Sequence, residues 1–499
     1  MHRLLGVLLF MGVSLSVFGQ FDYKWPVASF FSSLTFSSNP PQITYQPHPP
    51  LYAIGTAASI YDSVTARTLY SEGQHIVTDN FDTLANAYPL TDTAFAVYFP
   101  HNNQGVQNSI FLPKNSNEFY LVYPSVSDED FHKKHDTLQT VLYYAVVQRQ
   151  NNGYVLKSKR NRINYAPTSR NIIATRHGNG RDWWLVQKEG YNNKYFIFLV
   201  TPDTIRLMKT QVIGDSILGE GYGYAKFSEQ GDKYVFSTVD VPINILDFDR
   251  CEGVFTGVTQ FTPPFIGPHG DTLALAAGIT GALSSVFSPS GRYLYVNNYW
   301  TIRQYDLQAP DILSSAILIC KWDSATYDGQ PNPIGHGLLT PFGEIYYDTW
   351  DLTSKLHVIH APDSPGLACR YEPMAIPLLH QTYPLPNLPS YKTGKLIGSG
   401  CDTTFTTNIA EAQKSEPQFF RLVENPVHGQ LNIAYKFTCA MEYKIDVIDL
   451  QGRPLRHYQN HGLEGNLFWD IGDLSSGNYL IKATYGSGAV DMIKFTLIP

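Results

Sequence analysis

The sequence predicts an all-β protein, in which a β-propeller is followed by a small immunoglobulin-like β-sandwich. Aromatic residues make up 14% of the chain and charged residues only 16%, a balance typical of half-buried strands. Groups of three or four short strand patterns recur roughly every 50 to 65 residues, the spacing of propeller blades. Beyond the N-terminal segment, no long stretch has helical periodicity.

The clearest blade pattern lies in Ser284–Leu307. A short apolar strand ends at Phe287, and Ser288–Gly291 forms a turn. The side chains of Tyr293–Val296 then follow the alternating pattern of a strand, and the chain turns back into a further strand at Ile302–Leu307. Proline early in a turn and glycine late in it fit the backbone angles of a chain reversal. Each small sheet has two apolar faces, which are buried when neighbouring sheets stack around an axis.

Similar patterns recur along the chain, and six are regular enough to count as blades. They begin near Ala58, Ser109, Ile172, Tyr224, Ser284 and Gly337. We therefore prefer six blades. The alternative is seven, with the N-terminal strand near Leu34 joining strands after Cys369 to close the ring.

The chain divides into four segments by composition. Residues 1–19 read as a signal peptide, because a basic start and an apolar run precede small residues before Gln20. Residues 20–405 hold the propeller, 406–418 a linker without strand alternation, and 419–499 the sandwich. No later segment is apolar enough to cross a membrane, so we expect an exported mature chain without a transmembrane segment.

Charge and cysteine content narrow the function classes. The net charge is −7, which gives no electrostatic basis for binding nucleic acid. The five cysteines follow no disulfide framework or zinc spacing. Two interpretations stay open for them: one disulfide between Cys369 and Cys401, or buried thiols. The sequence has no phosphate loop, metalloprotease or calcium-loop pattern, so no cofactor is expected.

The most polar run beside a strand is Arg176–Trp184. His177 could transfer protons if Asp182 oriented its ring. The alternative is a turn locked by its own side chains, with Trp183 and Trp184 packed on opposite faces of the next strand. These four residues are the candidate ligand site, and no catalytic residue is assigned.

The tail carries an ordered set of motifs. They include Asn425, Pro426, Gly452, Asp473, Leu474, Gly477, Tyr479, Lys494 and Phe495. This set resembles the C-terminal sorting domain of the type IX secretion system of Gram-negative bacteria. The resemblance implies passage through the periplasm and outer membrane by that machinery, followed by surface attachment or release. The alternative is an immunoglobulin-like accessory module of similar strand and turn chemistry.

The body is similar to a group of secreted propeller proteins that carry the same tail and have no assigned activity. The residues that carry this resemblance are Gly55–Ile60, Arg176–Trp184, the turn at Phe287–Gly291, Tyr305–Leu307, Leu385–Tyr391 and Gly398–Asp402. The resemblance supports the fold and implies no substrate.

Three functions remain open at this stage. We prefer a non-enzymatic binding or adhesion module whose loops contact a surface glycan or protein. The alternative is a secreted polysaccharide hydrolase or lyase, with acids from several blades meeting at the propeller axis. The third is a structural part of the cell surface. Three or more carboxylates with a histidine at the channel mouth would favour the enzyme, and an aromatic, charge-poor face would favour binding.

Overall fold

The computed structural model describes twenty stretches of the chain. These are residues 21–27, 32–45, 57–79, 82–98, 107–126, 139–151, 153–167, 169–216, 223–238, 242–264, 282–298, 300–321, 326–327, 330–331, 334–349, 354–379, 385–402, 419–449, 454–485 and 489–498. The predicted signal peptide and linker lie outside them. The chain forms two compact units, residues 1–402 and 403–499.

Among the described residues of the first unit, the strands form seven antiparallel blades. Blade 1 consists of β1 Lys24–Val27, β2 Ser32–Thr35 and β3 Gln42–Tyr45, and blade 2 of β4 Ala58–Asp62, β5 Arg67–Ser71 and β6 Val77–Thr78. Blade 3 consists of β7 Ile110–Pro113, β8 Glu118–Val126, β9 Gln139–Gln150 and β10 Gly153–Pro167. Blade 4 consists of β11 Ser169–Arg176, β12 Trp183–Glu189, β13 Lys194–Val200 and β14 Ile205–Val212. Blade 5 consists of β15 Gly223–Phe227, β16 Lys233–Thr238, β17 Ile243–Asp249 and β18 Val254–Phe261. Blade 6 consists of β19 Ser284–Phe287, β20 Tyr293–Asn297, β21 Thr301–Asp306 and β22 Ile317–Lys321. Blade 7 consists of β25 Gly337–Leu339, β26 Ile345–Tyr347, β27 Lys355–Ile359 and β28 Tyr371–Pro377.

Short elements lie between the blades and, for the two 3₁₀ turns, within blades 6 and 7. They are the helix α1 Thr93–Tyr98, the hairpin strands β23 Thr326–Tyr327 and β24 Gln330–Pro331, and two 3₁₀ turns at Leu313–Ser315 and Gly366–Cys369. No helix in the described part of the chain is both long and apolar enough to span a membrane.

The number of blades is therefore seven, which confirms the alternative and not the preferred six. The strand around Leu34 pairs with β1 and β3, so it builds a blade of its own instead of joining strands after Cys369. Blades 1 and 7 meet through side-chain packing, with the Trp25 and Tyr346 ring centroids 6.4 Å apart. The short strands of blade 1 lie in a serine- and proline-rich segment, where the periodic signal is weak.

Each blade is a meander, so the turns after its first and third strands lie at the same end. In blades 2 to 7, we call this end, where the innermost strands finish, the lower face. The turns after β15 and β19 have the same geometry: Gly231 N–H donates to Ser228 O and Gly291 N–H donates to Ser288 O, both at 2.9 Å. The two glycines have φ of 75° and 73°, a conformation that costs glycine little. The repeated glycine turn predicted from the sequence is confirmed at both positions.

Aromatic side chains fill the space between blades. Tyr195 of blade 4 packs edge-on against Tyr234 of blade 5, with 5.7 Å between ring centroids. Phe261 of blade 5 lies 4.8 Å from Tyr305 of blade 6. Large buried aromatic surfaces dominate core energetics, so this packing between neighbouring sheets stabilises the ring.

The second unit is all-β, consistent with the predicted immunoglobulin-like sandwich. Its strands are β29 Phe420–Leu422, β30 Val427–His428, β31 Gln430–Ile448, β32 Pro454–Asp470, β33 Gly477–Tyr485 and β34 Ala489–Ile498. The long β31 pairs with β29 near its start and with β33 near its end. A separate hydrophobic core, which includes Phe420, Phe437 and Tyr443, stabilises this unit.

Candidate functional site

The predicted polar run forms a closed turn on the lower face of blade 4. His177 N–H donates to Asp182 O at 2.9 Å. The Asn179 side-chain amide donates to the Asp182 carboxylate at 2.8 Å, and Asp182 N–H donates to Asn179 Oδ1 at 2.9 Å. Arg181 adds an ion pair to the same carboxylate. The carboxylate of Asp182 therefore holds the turn together.

The His177 ring is buried and serves the same turn. Its Nδ1 accepts the Asn179 N–H at 2.9 Å, and the ring stacks on Trp184 with 5.1 Å between centroids. Burial lowers the pKa of His177, with the nearby Asp182 charge opposing that shift. The ring is thus a neutral acceptor within the fold, and its Nδ1 is already used by the backbone.

The two tryptophans lie on opposite faces of β12. Trp184 Nε1–H donates to Arg250 O at 2.7 Å, in blade 5. Trp183 is 1% exposed, and the guanidinium carbon of Arg176 lies 3.7 Å from the centre of its ring. The ring also packs edge-on against Tyr391, 5.8 Å away. Both indoles thus pack inside the propeller.

We expect Trp183→Ala to lower the free energy of unfolding by about 3 to 5 kcal/mol, because it leaves a large cavity in a packed interior. Urea unfolding of the purified protein measures this change. Val212→Ala, at an exposed site on β14 of the same blade, is the matched control and should change little. An unchanged midpoint for Trp183→Ala would contradict the packing role and make this indole a ligand-stacking candidate.

A segment that follows blade 7, residues 385–402, enters the axis of the propeller; we call it the axial segment. Its Asn387 binds near the beginnings of three innermost strands. Asn387 N–H donates to Ala57 O at 2.6 Å, and its side-chain amide donates to Ser109 O and Ile172 O, both at 3.0 Å. One asparagine therefore ties blades 2, 3 and 4 together at the axis.

The axial segment leaves the axis at the lower face. The Tyr391 hydroxyl donates to Phe111 O at 2.9 Å, and the Thr393 hydroxyl donates to Glu229 O at 2.7 Å. Leu396 N–H then donates to Gly178 O at 2.8 Å. Because these contacts run from strand beginnings to the turns after strand ends, the segment extends along the channel. Sequence analysis missed this role, since nothing local in the segment distinguishes a plug from a loop.

A disulfide fixes the end of the axial segment to blade 5. It joins Cys251, in the turn after β17, to Cys401, with a Cα–Cα distance of 5.4 Å. The predicted alternative of a Cys369–Cys401 disulfide is therefore wrong. Cys369 is a buried free thiol, which agrees with the other interpretation, that of buried thiols. The true pair is 150 residues apart in the chain, a separation that carries no sequence signal.

Beside the axial segment lies a cavity of about 70 Å³; we call it the axial cavity. Its walls come from blades 1, 4, 5, 6 and 7 and from the segment itself, and are mostly apolar. The chargeable side chains that line it are Asp22, Lys226, Glu229 and Lys392. A site for one water needs roughly 10–15 Å³, so the cavity has room for several water molecules.

Lys226 is the buried cation of the axial cavity. The side chain is 6% exposed, and its Nζ has no hydrogen-bond partner among the described residues. Burial lowers the pKa of Lys226 to about 7, with the Asp348 carboxylate acting in the opposite direction. Sequence analysis missed Lys226, because a lysine in a strand usually lies on a solvated face.

Two half-buried acids, from blades 1 and 5, face the same cavity. Burial raises the pKa of Asp22 and of Glu229, and the Lys392 charge opposes both shifts. Lys392 Nζ lies 3.8 Å from Glu229 Oε1. The cavity therefore combines two carboxyl groups with two amines. No group of side chains suited to a metal ion occurs in the described part of the chain.

The tail motifs cluster in the second unit. Asn425 Oδ1 accepts Thr496 N–H at 3.0 Å, and Tyr479 stacks on Phe495 with 5.6 Å between centroids. Residues 425–496 match a family model described as a secretion-system C-terminal sorting domain. The second unit is a type IX sorting domain. The protein is therefore exported to the cell surface or secreted, and it interacts with the type IX machinery through this domain.

The remaining sorting-domain residues occupy turns and strand ends. Arg456 pairs with Asp473, Leu474 N–H donates to Ile471 O at 3.0 Å, and Gly477 opens β33. Asn425 Nδ2 donates to Lys494 O in β34. Pro426 directly follows Asn425 in the chain. Gly452 lies outside the described residues.

Solved structures with partial likeness include three bacterial and archaeal proteins. A functionally unknown protein from Desulfotomaculum acetoxidans is 12% identical, covering 74% of this chain and 99% of its own, with a TM-score of 0.38. A protein from Lactobacillus plantarum is 13% identical, with coverage of 72% and 93% and a TM-score of 0.39. A hypothetical selenium-binding protein from Sulfolobus tokodaii is 10% identical, with coverage of 69% and 89% and a TM-score of 0.41. Scores this low carry no functional argument. No curated protein matches the chain.

Proposed function

We propose that the exported propeller is a non-enzymatic binding module, and that its lower face contacts a surface glycan or protein. The observation that supports this most directly is the combination of a rigid face and exposed apolar side chains at its turns. The sorting domain delivers this face to the cell exterior.

Rigidity of the lower face comes from bonds between turns of different blades. The Gln230 side-chain amide donates to Pro289 O at 2.8 Å, from blade 5 to blade 6. Ser290 donates through its hydroxyl to Asp363 Oδ1 at 2.5 Å, from blade 6 to blade 7. Arg250 donates to Arg176 O at 2.8 Å and to Gln230 O at 3.0 Å. A surface already held in one conformation loses less entropy on binding.

Apolar side chains project from several of these turns. They are Val64, Leu313, Phe342, Leu367 and Ile397, with exposed fractions from 42% for Leu313 to 90% for Ile397. They come from blades 2, 6 and 7 and from the axial segment. On these turns, such side chains are available to contact a partner.

The alternative, a polysaccharide hydrolase or lyase at the axis, has one observation in its favour. Asp22 and Glu229 face the axial cavity with raised pKa values, and a pair of carboxyl groups is the usual machinery of glycoside hydrolysis. Size argues against it. The enclosed space of about 70 Å³ is about half of the roughly 150 Å³ that accommodates a benzene ring, so a sugar ring does not fit inside it.

Binding of the purified full-length protein to glycan and peptide arrays tests the proposal. We expect one class of ligand to bind, and Leu367→Asp combined with Ile397→Asp to weaken that binding about tenfold or more, because charges would replace apolar contacts. The control is Val212→Asp, on the outer strand of blade 4. Unchanged ligand binding by the double variant would exclude the lower face as the binding surface. Turnover of a bound polysaccharide that Glu229→Gln abolishes would support the enzyme instead.

A further inference from the structure

A groove on the lower face lies between blades 2 and 3, away from the axial cavity. It is formed by the turns after β4, β7 and β9, and its volume is about 570 Å³; we call it the blade 2–3 groove. The side chains that line it include Val64, Arg67, Asn117, Arg149, Gln150 and Asn151. A benzene ring needs a cavity of roughly 150 Å³, so the groove has room for a sugar ring.

A buried acid holds the walls of this groove in place. Arg149 donates to the Asp62 carboxylate from Nε and from Nη2, both at 2.6 Å. The Tyr154 hydroxyl donates to the same carboxylate at 2.9 Å, and Arg149 Nη1 donates to Ser116 O at 2.8 Å. These bonds join the first hairpin of blade 2 to two turns of blade 3. The groove is therefore already formed before a ligand arrives, which lowers the entropy lost on binding.

Arg67 is the arginine of the groove that lacks an acidic partner. It lies opposite Asp62 in the pairing of β4 with β5, but Arg149 already occupies that carboxylate. Among the described residues, the Arg67 guanidinium has no hydrogen bond or ion pair, and its Nη1 lies beside Gly153. The two parallel N–H groups of a guanidinium match the two oxygens of a carboxylate. Arg67 can therefore bind an acidic group of a ligand.

The charges next to the groove also favour an acidic ligand. Glu118 pairs with both Lys114 and Lys157, at 2.5 and 2.6 Å. Hydrogen bonds from these two lysines lower the pKa of Glu118 to about 2. One carboxylate thus serves two ammonium groups, and a positive charge is left over here as it is at Arg67. This part of the surface attracts anions, although the whole chain carries a net charge of −7.

The other side chains of the groove match a sugar. The amides of Asn117, Gln150 and Asn151 have no hydrogen-bond partner in the described part of the chain. A side-chain amide both donates and accepts hydrogen bonds, as sugar hydroxyl groups do. Val64 is 71% exposed and offers an apolar surface to the C–H groups of a ring. The carboxylate of an acidic peptide side chain would use Arg67 but leave these amides unmatched.

We propose that the blade 2–3 groove binds a uronic acid residue of an acidic polysaccharide. Its carboxylate pairs with Arg67, and its hydroxyl groups bind the amides of Asn117, Gln150 and Asn151. This assignment rests on the proposed function, because it names a ligand for the same lower face. The sugar unit carries its charge on the ring, so acidic group and hydroxyl groups arrive together.

Calorimetric titration of the full-length protein with tetramers of galacturonate, mannuronate and glucuronate tests the assignment. Tetragalactose is the matched neutral ligand, and hexaglutamate is an acidic ligand without sugar hydroxyl groups. We expect at least one uronate to bind, and tetragalactose and hexaglutamate to bind about tenfold more weakly or less, since each lacks one set of contacts. Added salt should weaken uronate binding.

Arg67→Met and Asn151→Ala test the two sets of contacts. Neither side chain bonds to the described residues, so the fold should persist, and circular dichroism checks this. We expect Arg67→Met to weaken uronate binding about tenfold or more and Asn151→Ala to weaken it severalfold. Arg206→Met, at an exposed arginine on β14, makes the same change in net charge and should leave binding unchanged.

The results separate this site from the lower face as a whole. Failure of all three uronates to bind, normal binding by Arg67→Met, or equal binding of hexaglutamate would overturn the uronate site. A different array ligand that is lost in the Leu367→Asp and Ile397→Asp double variant, but kept in Arg67→Met, would overturn this site and leave the proposed function standing. Absence of any array ligand would overturn both.

Discussion

Replacing Cys251 with alanine should lower the free energy of unfolding by about 5 kcal/mol. The disulfide to Cys401 closes a loop of 150 residues, and the chain-entropy model gives about this value for a loop of that length. The measurement is guanidinium unfolding of the oxidised protein, followed by tryptophan fluorescence. The same loss should appear when the wild-type protein is treated with a reducing agent.

Three controls make the disulfide result specific. Cys401→Ala should match Cys251→Ala, and the double variant should be no less stable than either, because both remove one bond. Cys369→Ala removes a buried thiol outside the disulfide and should cost far less. Equal stabilities of wild type and Cys251→Ala under oxidising conditions would mean that the axial segment is held by its axial contacts alone.

Truncation after Asp402 should leave the propeller folded and trap it in the periplasm. The first compact unit ends at that residue and keeps both the axial segment and the disulfide, whereas the sorting domain is lost. The expected result is near-complete loss of the protein from the cell surface and medium, with a protease-resistant fragment in the periplasm. Cell fractionation with limited proteolysis measures both.

Two variants separate export from folding. Truncation after Leu378 also removes the axial segment, so the fragment should be degraded, because the carbonyl groups that Asn387 satisfies lose their partner. Phe495→Asp, in the core of the second unit, should block display of an otherwise full-length chain. Normal surface display of the Asp402 truncation would contradict the role of the sorting domain.

Local turn chemistry made much of the fold predictable. Glycine turns such as Ser288–Gly291 repeat, because the same backbone angles are needed in each blade. The tail was recognisable for a similar reason, since its motifs are short and ordered. Blade 1 was not counted as a blade from the sequence, because its strands are short and its segment is rich in serine and proline.

Contacts between distant parts of the chain were not predictable. Cys251 and Cys401 meet only when both the turn of blade 5 and the axial segment, which follows all seven blades, are in place. Lys226 has the sequence context of an ordinary strand lysine, and its burial depends on neighbours from blades 6 and 7. The polar run at His177 was visible, but whether its groups point outward or bind their own turn depends on tertiary packing.

Residues 385–391 of the axial segment lie inside the ring, although they follow all seven blades in the chain. A ring that had closed fully beforehand would need this segment to be pulled through a narrow hole. Blades 1 and 7 share no strand among the described residues, and they meet through rings such as Trp25 and Tyr346. The junction between blades 1 and 7 can therefore form last, after the axial segment has packed against the innermost strands of the other blades.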